Sequence, residues 1–296
     1  MTRQMRASID KAPLMKPFFL TAFALTAFAF NSILCRMALG EQEADAAGFT
    51  LVRLMAGAAA LALISASIGK TRTVLKAGQW ASAFFLFAYA IFFSFAYLGL
   101  TTGTGALILF GSVQMTMIAA ASAKGERPGR LELFGIAAAF GGLVYLVFPG
   151  LTAPPLVSSL LMAAAGAAWG FYTLRGKGST DPLADTTGNF IRTLPMMLLA
   201  AIPFVGSLHL SARGFALAVL SGAIASGVGY AVWYAALRYH TATRAAALQL
   251  SVPIIAAAGG VVLLAETADL RLVIAGVLTL GGIAVVIFGR SGYRKL

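Results

Sequence analysis

The chain has 296 residues, of which 59% are hydrophobic and only 11% are charged. Soluble domains average about 25% charged residues. These values therefore exclude an ordinary cytosolic enzyme, a secreted disulfide scaffold and a disordered chain, and they indicate an integral membrane protein. The single cysteine, Cys35, excludes an internal disulfide and a cysteine-cluster metal site.

Ten stretches are long and apolar enough for a membrane-spanning helix, which needs about 20 mostly apolar residues. Their short connections are rich in turn formers and leave no room for a soluble domain. The tail 1–16 is basic and is not a cleavable signal, because the next apolar run is full length. In chain order we predict helices over Pro17–Leu39, Ala47–Ile68, Gly78–Tyr97, Thr104–Ala123, Leu131–Phe148, Leu156–Leu174, Asp185–Gly206, Gly214–Leu237, Arg244–Leu264 and Leu270–Gly289.

The positive charges lie mainly in alternate loops. Of the 22 Lys and Arg residues, 17 lie in the two terminal segments or after helices 2, 4, 6 and 8. The loop after helix 1 instead carries Glu41, Glu43 and Asp45. Because Lys and Arg are enriched in cytoplasmic loops, we predict that both termini are cytoplasmic. The net charge of +12 is then a topology signal, and we expect no nucleic-acid partner.

The two halves of the chain resemble each other at an offset of 139 residues. The segments 1–149 and 150–296 each contain five predicted helices. Five is odd, so the second half enters the membrane from the opposite side. Such inverted repeats are typical of secondary transporters, whose substrate site lies near the midplane. The aligned positions include Arg36 with Arg175, Arg53 with Arg192, and Ser112-Val113-Gln114 with Ser251-Val252-Pro253.

A family resemblance follows from the ends of the two repeats. The turn around Glu126, with Leu131 to Gly142 after it, resembles the repeat ends of the drug/metabolite transporter superfamily. The second half resembles the same repeat ends through Ser251-Val252-Pro253 followed by Leu264-Ala265-Glu266. In the first helix, Asn31 lies where that family often has a polar residue. The chain is most similar to the ten-helix EamA type and, within it, to the YddG-type amino-acid exporters. It departs from the repeat at Gln114, where the second half has Pro253.

Motifs for catalysis are absent from the sequence. There is no His-Glu-x-x-His, no Gly-x-Ser-x-Gly and no phosphate loop. We therefore expect no enzyme activity, no cofactor and no bound metal. All ten acidic residues lie near predicted helix ends or in loops, which favours facilitated or exchange transport over coupling through a buried carboxylate.

Polar and aromatic residues within the predicted helices are the candidates for substrate binding. Gln114 and Asn31 carry amides that need a partner in hydrocarbon, and that partner is either a substrate or another helix. Trp169 follows small residues that leave space for its ring, and the resemblance implies that aromatic residues in this region line the cavity. Tyr89 and Tyr230 lie in equivalent helices, so both halves contribute an aromatic face, with membrane-interface anchoring as the alternative.

Four further residues are candidates with open alternatives. Ser251 and Pro253 lie in predicted helix 9, where a proline frees a backbone carbonyl or merely kinks the helix. Arg53 and Arg192 lie about 10 Å inside their helices. They either extend back to the membrane surface or hold a gate carbonyl or a substrate carboxylate. The phenylalanines of helices 1 and 3 are expected to face lipid or to pack: Phe28, Phe84, Phe85, Phe87, Phe92, Phe93 and Phe95.

Together these features predict an all-α integral membrane protein of ten transmembrane helices in two inverted repeats. The resemblance implies a multi-pass exporter of aromatic and neutral amino acids in a bacterial cytoplasmic membrane, working by alternating access. We expect a small-molecule substrate and the lipid bilayer as its partners, and leave the oligomeric state open. The alternatives are a drug or metabolite exporter of the same fold and a membrane structural or sensory protein.

Overall fold

The computed structural model describes residues 15–123, 125, 129–150, 153–176, 179–240, 245 and 248–293, and over these residues the protein is helical with no β-strand. A short connecting helix, Thr71–Lys76, lies between the second and third main helices. The main helices are α1 (Met15–Gly40), α2 (Ala46–Ser67), α3 (Trp80–Ala96), α4 (Thr102–Ala123), α5 (Arg130–Val147), α6 (Leu156–Gly176), α7 (Pro182–Ala201), α8 (Ala212–Leu237), α9 (Ser251–Leu264) and α10 (Leu270–Tyr293).

Two of these helices depart from regular α geometry. Helix α7 continues as a 3₁₀ turn over Ile202–Ser207. Helix α8 contains a π-helical segment, Ser221–Val228, between two α-helical parts. Neither departure was predicted, because hydrophobic periodicity does not distinguish one helical type from another over so short a segment.

Eight of the helices in the described part of the chain are long and apolar enough to cross a membrane. The other two, α3 with 17 residues and α9 with 14, are apolar but shorter. The predicted all-helical membrane fold is therefore confirmed in outline. The tail before Met15, the turn at Glu126 and the predicted start of helix 9 at Arg244 lie outside the described residues.

Polar caps begin several helices earlier than the hydrophobic runs suggest. Asp45 accepts hydrogen bonds from the backbone amides of Ala47 (3.0 Å) and Gly48 (2.8 Å) at the start of α2. Ser211 accepts one from the backbone amide of Gly214 (2.9 Å) at the start of α8. Such side chains satisfy amides that have no partner within the helix. The predicted starts at residues 47 and 214 were therefore slightly late.

The molecule turns its apolar side chains outward. Large side chains such as Leu63, Phe134 and Leu199 are exposed, whereas Asn31 and Gln114 are buried. This arrangement suits a lipid environment, where exposed apolar groups cost nothing and polar groups need partners inside the bundle. The structure thus describes a multi-pass membrane protein.

The helices form a central bundle with one peripheral pair. In the bundle, α1 packs on α8 and α9, α2 on α7 and α8, α3 on α6 and α7, and α4 on α6 and α9. Helices α5 and α10 pack chiefly on each other. A Cβ on Gly135 would lie 2.6 Å from the carbonyl oxygen of Gly282, so glycine allows this close approach. This pair therefore lies at the periphery of the bundle.

Candidate functional site

An aromatic and polar cluster lies at the centre of the bundle, and we call it the central cluster. Its rings pack through edge-to-face and tilted contacts. The Trp169 ring centroid lies 4.7 Å from that of Tyr230 and 4.9 Å from that of Tyr89. Phe28 meets Tyr230 and Trp233 edge-on, at 5.7 Å each. The members are Phe28, Asn31, Arg53, Tyr89, Phe93, Trp169, Tyr230 and Trp233, contributed by α1, α2, α3, α6 and α8.

The central cluster encloses a cavity of about 10 Å³, walled also by Leu109 and Phe110 of α4. That volume holds about one water molecule. The cluster is therefore collapsed on itself in this conformation, and any larger ligand requires its side chains to move.

Arg53 is the charged member of the central cluster, and its side chain is 1% exposed. Its guanidinium carbon lies 4.9 Å from the ring centroid of Phe93 and 5.3 Å from that of Tyr89. Nε donates to the Ser226 hydroxyl (3.3 Å) and Nη2 to the Tyr89 hydroxyl (3.1 Å). The alternative in which Arg53 extends to the membrane surface is thus wrong, because the guanidinium is enclosed by three helices.

The positive charge of Arg53 has no carboxylate partner among the described residues. The ion pairs found there involve other arginines and lysines. Within the same residues, Nη1 of Arg53 has no hydrogen-bond acceptor at all. Burying an ionised group without a countercharge is costly, so an anionic group beside this guanidinium would lower the free energy of the site.

Amide and hydroxyl groups complete the polar part of the cluster. Asn31 Nδ2 donates to the Tyr89 hydroxyl (3.1 Å), and its Oδ1 accepts from the Ser221 hydroxyl (2.7 Å). The Tyr230 hydroxyl also donates to that of Tyr89 (3.4 Å). The phenolic oxygen of Tyr89 is therefore the point where α1, α2 and α8 meet α3.

Close contact between α2 and α8 places Arg53 at this depth. A Cβ on Gly222 would lie 2.0 Å from the carbonyl oxygen of Arg53, and one on Gly57 would lie 3.0 Å from the carbonyl oxygen of Gly222. Only glycine fits at such distances. The two backbones therefore touch beside Arg53, whose side chain is buried next to this contact.

One end of the bundle, which we call the acidic end, is closed by a polar network between the halves. Arg36 Nε donates to Glu266 Oε1 (3.2 Å), and its Nη1 donates to the carbonyl oxygen of Tyr97 (3.1 Å). Glu266 Oε2 accepts from the backbone amide of Thr102 (2.8 Å). Ala265 adopts a left-handed φ of 52°, which ends α9 and turns the chain towards this network. Helices α1, α3, α4 and α9 are thereby tied together.

A second polar contact at the acidic end joins the starts of α2 and α8. Asp45 Oδ2 accepts from the backbone amide of His209 (2.8 Å). Glu43 accepts from the Ser211 hydroxyl and from Arg213. The Ser211 hydrogen bond, followed by Arg213, holds the pKa of the Glu43 carboxyl below its ordinary value. These groups therefore remain paired at neutral pH.

The opposite end, which we call the basic end, has polar contacts around the loop before α3. Arg175 Nη2 donates to Gln79 Oε1 (2.8 Å) and its Nε to the Ser82 hydroxyl (3.2 Å). Arg192 Nη1 donates to the carbonyl oxygen of Ala77 (2.5 Å). Arg192 thus holds a loop carbonyl, which is one of the roles considered for it from the sequence.

A wider cavity of about 380 Å³ also lies at the basic end. Helices α4, α6 and α8 contribute Met117, Thr173 and Tyr234, and Gln249 lies on the far wall. Trp233 lines this cavity and also contacts Phe28 of the central cluster. Over the described residues, the central cluster therefore has an open cavity beside it towards the basic end, whereas a tight polar network lies at the acidic end.

The structure brings some predicted site residues together and leaves others apart. Asn31, Tyr89, Trp169 and Tyr230 all lie in the central cluster, and Arg53 joins them. Arg192 lies at the basic end.

Three candidates lie outside the wall of the central cavity. Gln114 is buried on α4, and its Nε2 has no hydrogen-bond partner among the described residues. Ser251 donates to the carbonyl oxygen of Leu248 (2.7 Å). Pro253 lines a lateral groove between α4, α9 and α10, and it lies in the first turn of α9, where a proline removes no helical hydrogen bond.

Sequence reasoning missed several members of the cluster. Phe28 and Phe93 were expected to face lipid or simply to pack, but both are buried and line the central cavity. Ser221 and Ser226 were not considered. Both are hydroxyl residues in an apolar helix, and the need of polar groups in hydrocarbon for internal partners was a usable signal for them. Trp233 lies three residues after Tyr230, and residues three apart share a helical face, so this spacing was a usable signal for Trp233.

Comparisons with known proteins place the chain in a family. The model of the EamA-like transporter family matches residues 156–288. An uncharacterised protein of Pseudomonas aeruginosa is 48% identical over 95% of this chain and 97% of its own length. A solved crystal structure with 20% sequence identity shares the fold with a TM-score of 0.64, over 90% of this chain and 96% of that one.

Two more distant relatives have informative names. A protein of Salmonella typhimurium named a probable amino-acid metabolite efflux pump is 27% identical, over 68% of this chain and 72% of its own length. A protein of Streptantibioticus cattleyicolor named a probable terminal-alkyne amino-acid exporter is 26% identical, over 93% of this chain and 95% of its own. The chain belongs to the EamA-like transporter family of the drug/metabolite transporter superfamily.

Proposed function

We propose that this transporter exports amino acids across a bacterial cytoplasmic membrane and that Arg53 binds the substrate carboxylate. The observation that carries the proposal is the buried guanidinium of Arg53, which has no carboxylate partner among the described residues. A carboxylate arriving with the substrate would supply the missing charge and would accept from two guanidinium nitrogens at once. The names of two relatives support the same substrate class.

The rings around Arg53 suit the rest of an amino acid. Trp169 and Tyr230 present aromatic faces and edges that contact apolar side chains without strict directionality. An ammonium group is attracted to the same ring faces. This combination favours a broad range of neutral and aromatic amino acids over one particular substrate.

The proposed architecture is two inverted repeats of five membrane-spanning helices, 1–149 and 150–296. The helix contacts support it, since exchanging each helix with the one five places along maps α3–α6 onto α8–α1 and α4–α6 onto α9–α1. The same exchange maps α2–α8 onto α7–α3. The family model matches only 156–288, a length of one repeat. With the basic loops in the cytoplasm, both termini are cytoplasmic.

Alternating access then follows from the unequal ends of the bundle. The acidic end is tied by Arg36 and Glu266, while the cavity beside Trp233 lies at the basic, cytoplasmic end. Substrate enters from that side, and the polar ties of the acidic end must break for release. No acidic side chain of the described residues belongs to the central cluster, which favours facilitated or exchange transport.

The test is counterflow of labelled phenylalanine, methionine and threonine in proteoliposomes of the purified protein. We expect Arg53→Gln to reduce exchange at least tenfold, because a hydrogen bond to a charged group contributes about 1.5–3 kcal/mol. Arg53→Lys should be intermediate, since an ammonium lacks the guanidinium fork. Arg271→Gln is the matched control, because Arg271 is only partly buried, lies outside the central cluster and donates to the carbonyl oxygen of Tyr145 near the end of α5.

Competitors separate amino acids from other solutes. Unlabelled 3-phenylpropionate, which keeps the carboxylate, should compete with phenylalanine better than phenethylamine, which lacks it. Equal competition by phenethylamine would favour the alternative of a drug or metabolite exporter. If none of the three amino acids exchanges, the amino-acid proposal fails.

A further inference from the structure

The Tyr89 hydroxyl receives more hydrogen-bond donors than a phenol can satisfy. Asn31 Nδ2 and Arg53 Nη2 each donate to it from 3.1 Å, and the Tyr230 hydroxyl donates from 3.4 Å. Nη1 of Arg53 lies on the same guanidinium and has no acceptor among the described residues. Three donors thus meet a single neutral oxygen, and a fourth beside them has no acceptor within the described part of the chain.

A carboxylate matches this donor set better than a phenol does. An ionised carboxylate has two oxygens with about four lone-pair sites and carries a full negative charge, whereas a hydroxyl has at most two lone pairs. Hydrogen bonds to an ionised acceptor are also shorter and about twice as strong. The donors around Tyr89 therefore suit an anion better than a neutral hydroxyl.

The small central cavity shows where such an anion has to go. With only about 10 Å³ free, the centre cannot take an amino acid beside the Tyr89 side chain. The donors of Asn31 and Arg53 already converge on the phenolic oxygen, so a carboxylate reaches them only by taking that position.

We propose that the Tyr89 hydroxyl is an internal stand-in for one substrate carboxylate oxygen, and that substrate binds by displacing it. This inference rests on the proposed function. In the empty protein, the Tyr89 hydroxyl accepts hydrogen bonds from Asn31 and Arg53 and so joins α1, α2 and α8 through α3. On binding, the carboxylate takes over these hydrogen bonds. Solutes without an anionic group cannot replace the hydroxyl, so Tyr89 makes the site selective for carboxylates.

The stand-in role predicts an unusual sign for a conservative substitution. Tyr89→Phe keeps the ring but removes the competing oxygen, so the donors of the empty site lose an acceptor. We expect the Kd of phenylalanine, measured by calorimetry on the purified protein, to fall about tenfold. Tyr172→Phe is the matched control, because Tyr172 is a buried tyrosine beside the Trp169 ring (5.4 Å), and its Kd should equal that of the wild type.

Two results would overturn the inference. An increased Kd in Tyr89→Phe would mean that the hydroxyl contacts the substrate directly, and an unchanged Kd would mean that it does not compete. The tenfold gain should also disappear when Tyr89→Phe is combined with Arg53→Gln, since the anion then has no guanidinium to bind. Persistence of the gain in that double variant would equally contradict the stand-in role.

A second measurement keeps the inference testable if wild-type protein binds no amino acid and the proposed function fails. Tyr89→Ala opens a ring-sized space below the same donors. We expect benzoate to raise the unfolding temperature of this variant more than benzamide at equal concentration. The difference should vanish when Arg53→Gln is added. Equal effects of the two probes on Tyr89→Ala would show that the donors do not prefer an anion.

Discussion

Neutralising Glu266 tests whether the network at the acidic end holds that end shut. Glu266 is largely buried, with 12% of its side chain exposed, and it accepts from both Arg36 and the backbone amide of Thr102. The substitution Glu266→Gln keeps the size and one carbonyl oxygen but removes the charge. We expect it to shift the protein towards conformations in which the acidic end is open.

The size of the shift follows from the two hydrogen bonds. Hydrogen bonds to charged groups contribute about 1.5–3 kcal/mol, against about 0.5–1.5 kcal/mol for neutral ones. Two such losses, reduced because Arg36 is partly exposed to solvent, amount to about 1–2 kcal/mol. At 1.4 kcal/mol per factor of ten, the open population rises roughly 5- to 30-fold.

The single cysteine gives a direct assay of this population. Cys35 is fully buried and directly precedes Arg36 on α1. Its modification by a water-soluble maleimide therefore requires the acidic end to open. The rate in Glu266→Gln should exceed the wild-type rate by the same 5- to 30-fold factor.

Glu41→Gln serves as the matched control, because Glu41 pairs with Arg213 at the same end but both side chains are well exposed. Exposed pairs contribute little, so the Cys35 rate should stay within about twofold of the wild type. A Glu266→Gln variant that folds normally and reacts no faster than Glu41→Gln would refute the gating role of the Arg36–Glu266 pair.

Two other substitutions test the packing and the loop contacts. Gly222→Ala places a Cβ 2.0 Å from the Arg53 carbonyl oxygen, so we expect the free energy of unfolding to fall by about 1–3 kcal/mol. The unfolding temperature should therefore be lower than that of the control Gly206→Ala, where a Cβ meets open space. The Lys70 hydrogen bond lowers the pKa of Asp181, so this carboxylate stabilises the fold at neutral pH and loses its effect as the pH falls below about 4. The unfolding temperature of Asp181→Asn should therefore drop less between pH 5 and pH 3 than that of the wild type, and an equal drop would contradict the role of this pair.

Much of the candidate site could be predicted because its residues are unusual for a membrane helix. Asn31, Tyr89, Trp169 and Tyr230 differ from the Ala, Leu and Phe around them, and polar groups in hydrocarbon need internal partners. The sequence alone cannot say which partners they find. Gln114 met the same criterion as Asn31, yet it lies outside the wall of the central cavity.

The depth and role of Arg53 depend on contacts between helices. Counting residues from the helix start places Arg53 about 10 Å inside, which allows both a surface-seeking and a buried side chain. In the structure, Gly57 and Gly222 bring α2 and α8 together, and Arg53 is buried beside that contact. Phe28 and Phe93 show the same limit, because a phenylalanine is equally common against lipid and inside a core.

The π-helical segment of α8 has a consequence for how this protein tolerates insertions and deletions. In a regular α-helix, positions five apart such as Ser221 and Ser226 are rotated by about 140°, yet here Ser221 reaches Asn31 and Ser226 reaches Arg53. The wider turns, with their i→i+5 hydrogen bonds, bring both hydroxyls to one side. Deleting one residue between Ser221 and Ser226 would leave the two serines four apart, which is about 40° around a regular α-helix, so both hydroxyls would still face the cluster. Because the wide turns already hold one residue more than regular turns would, this segment is the part of α8 where a single deletion turns the flanking helix least.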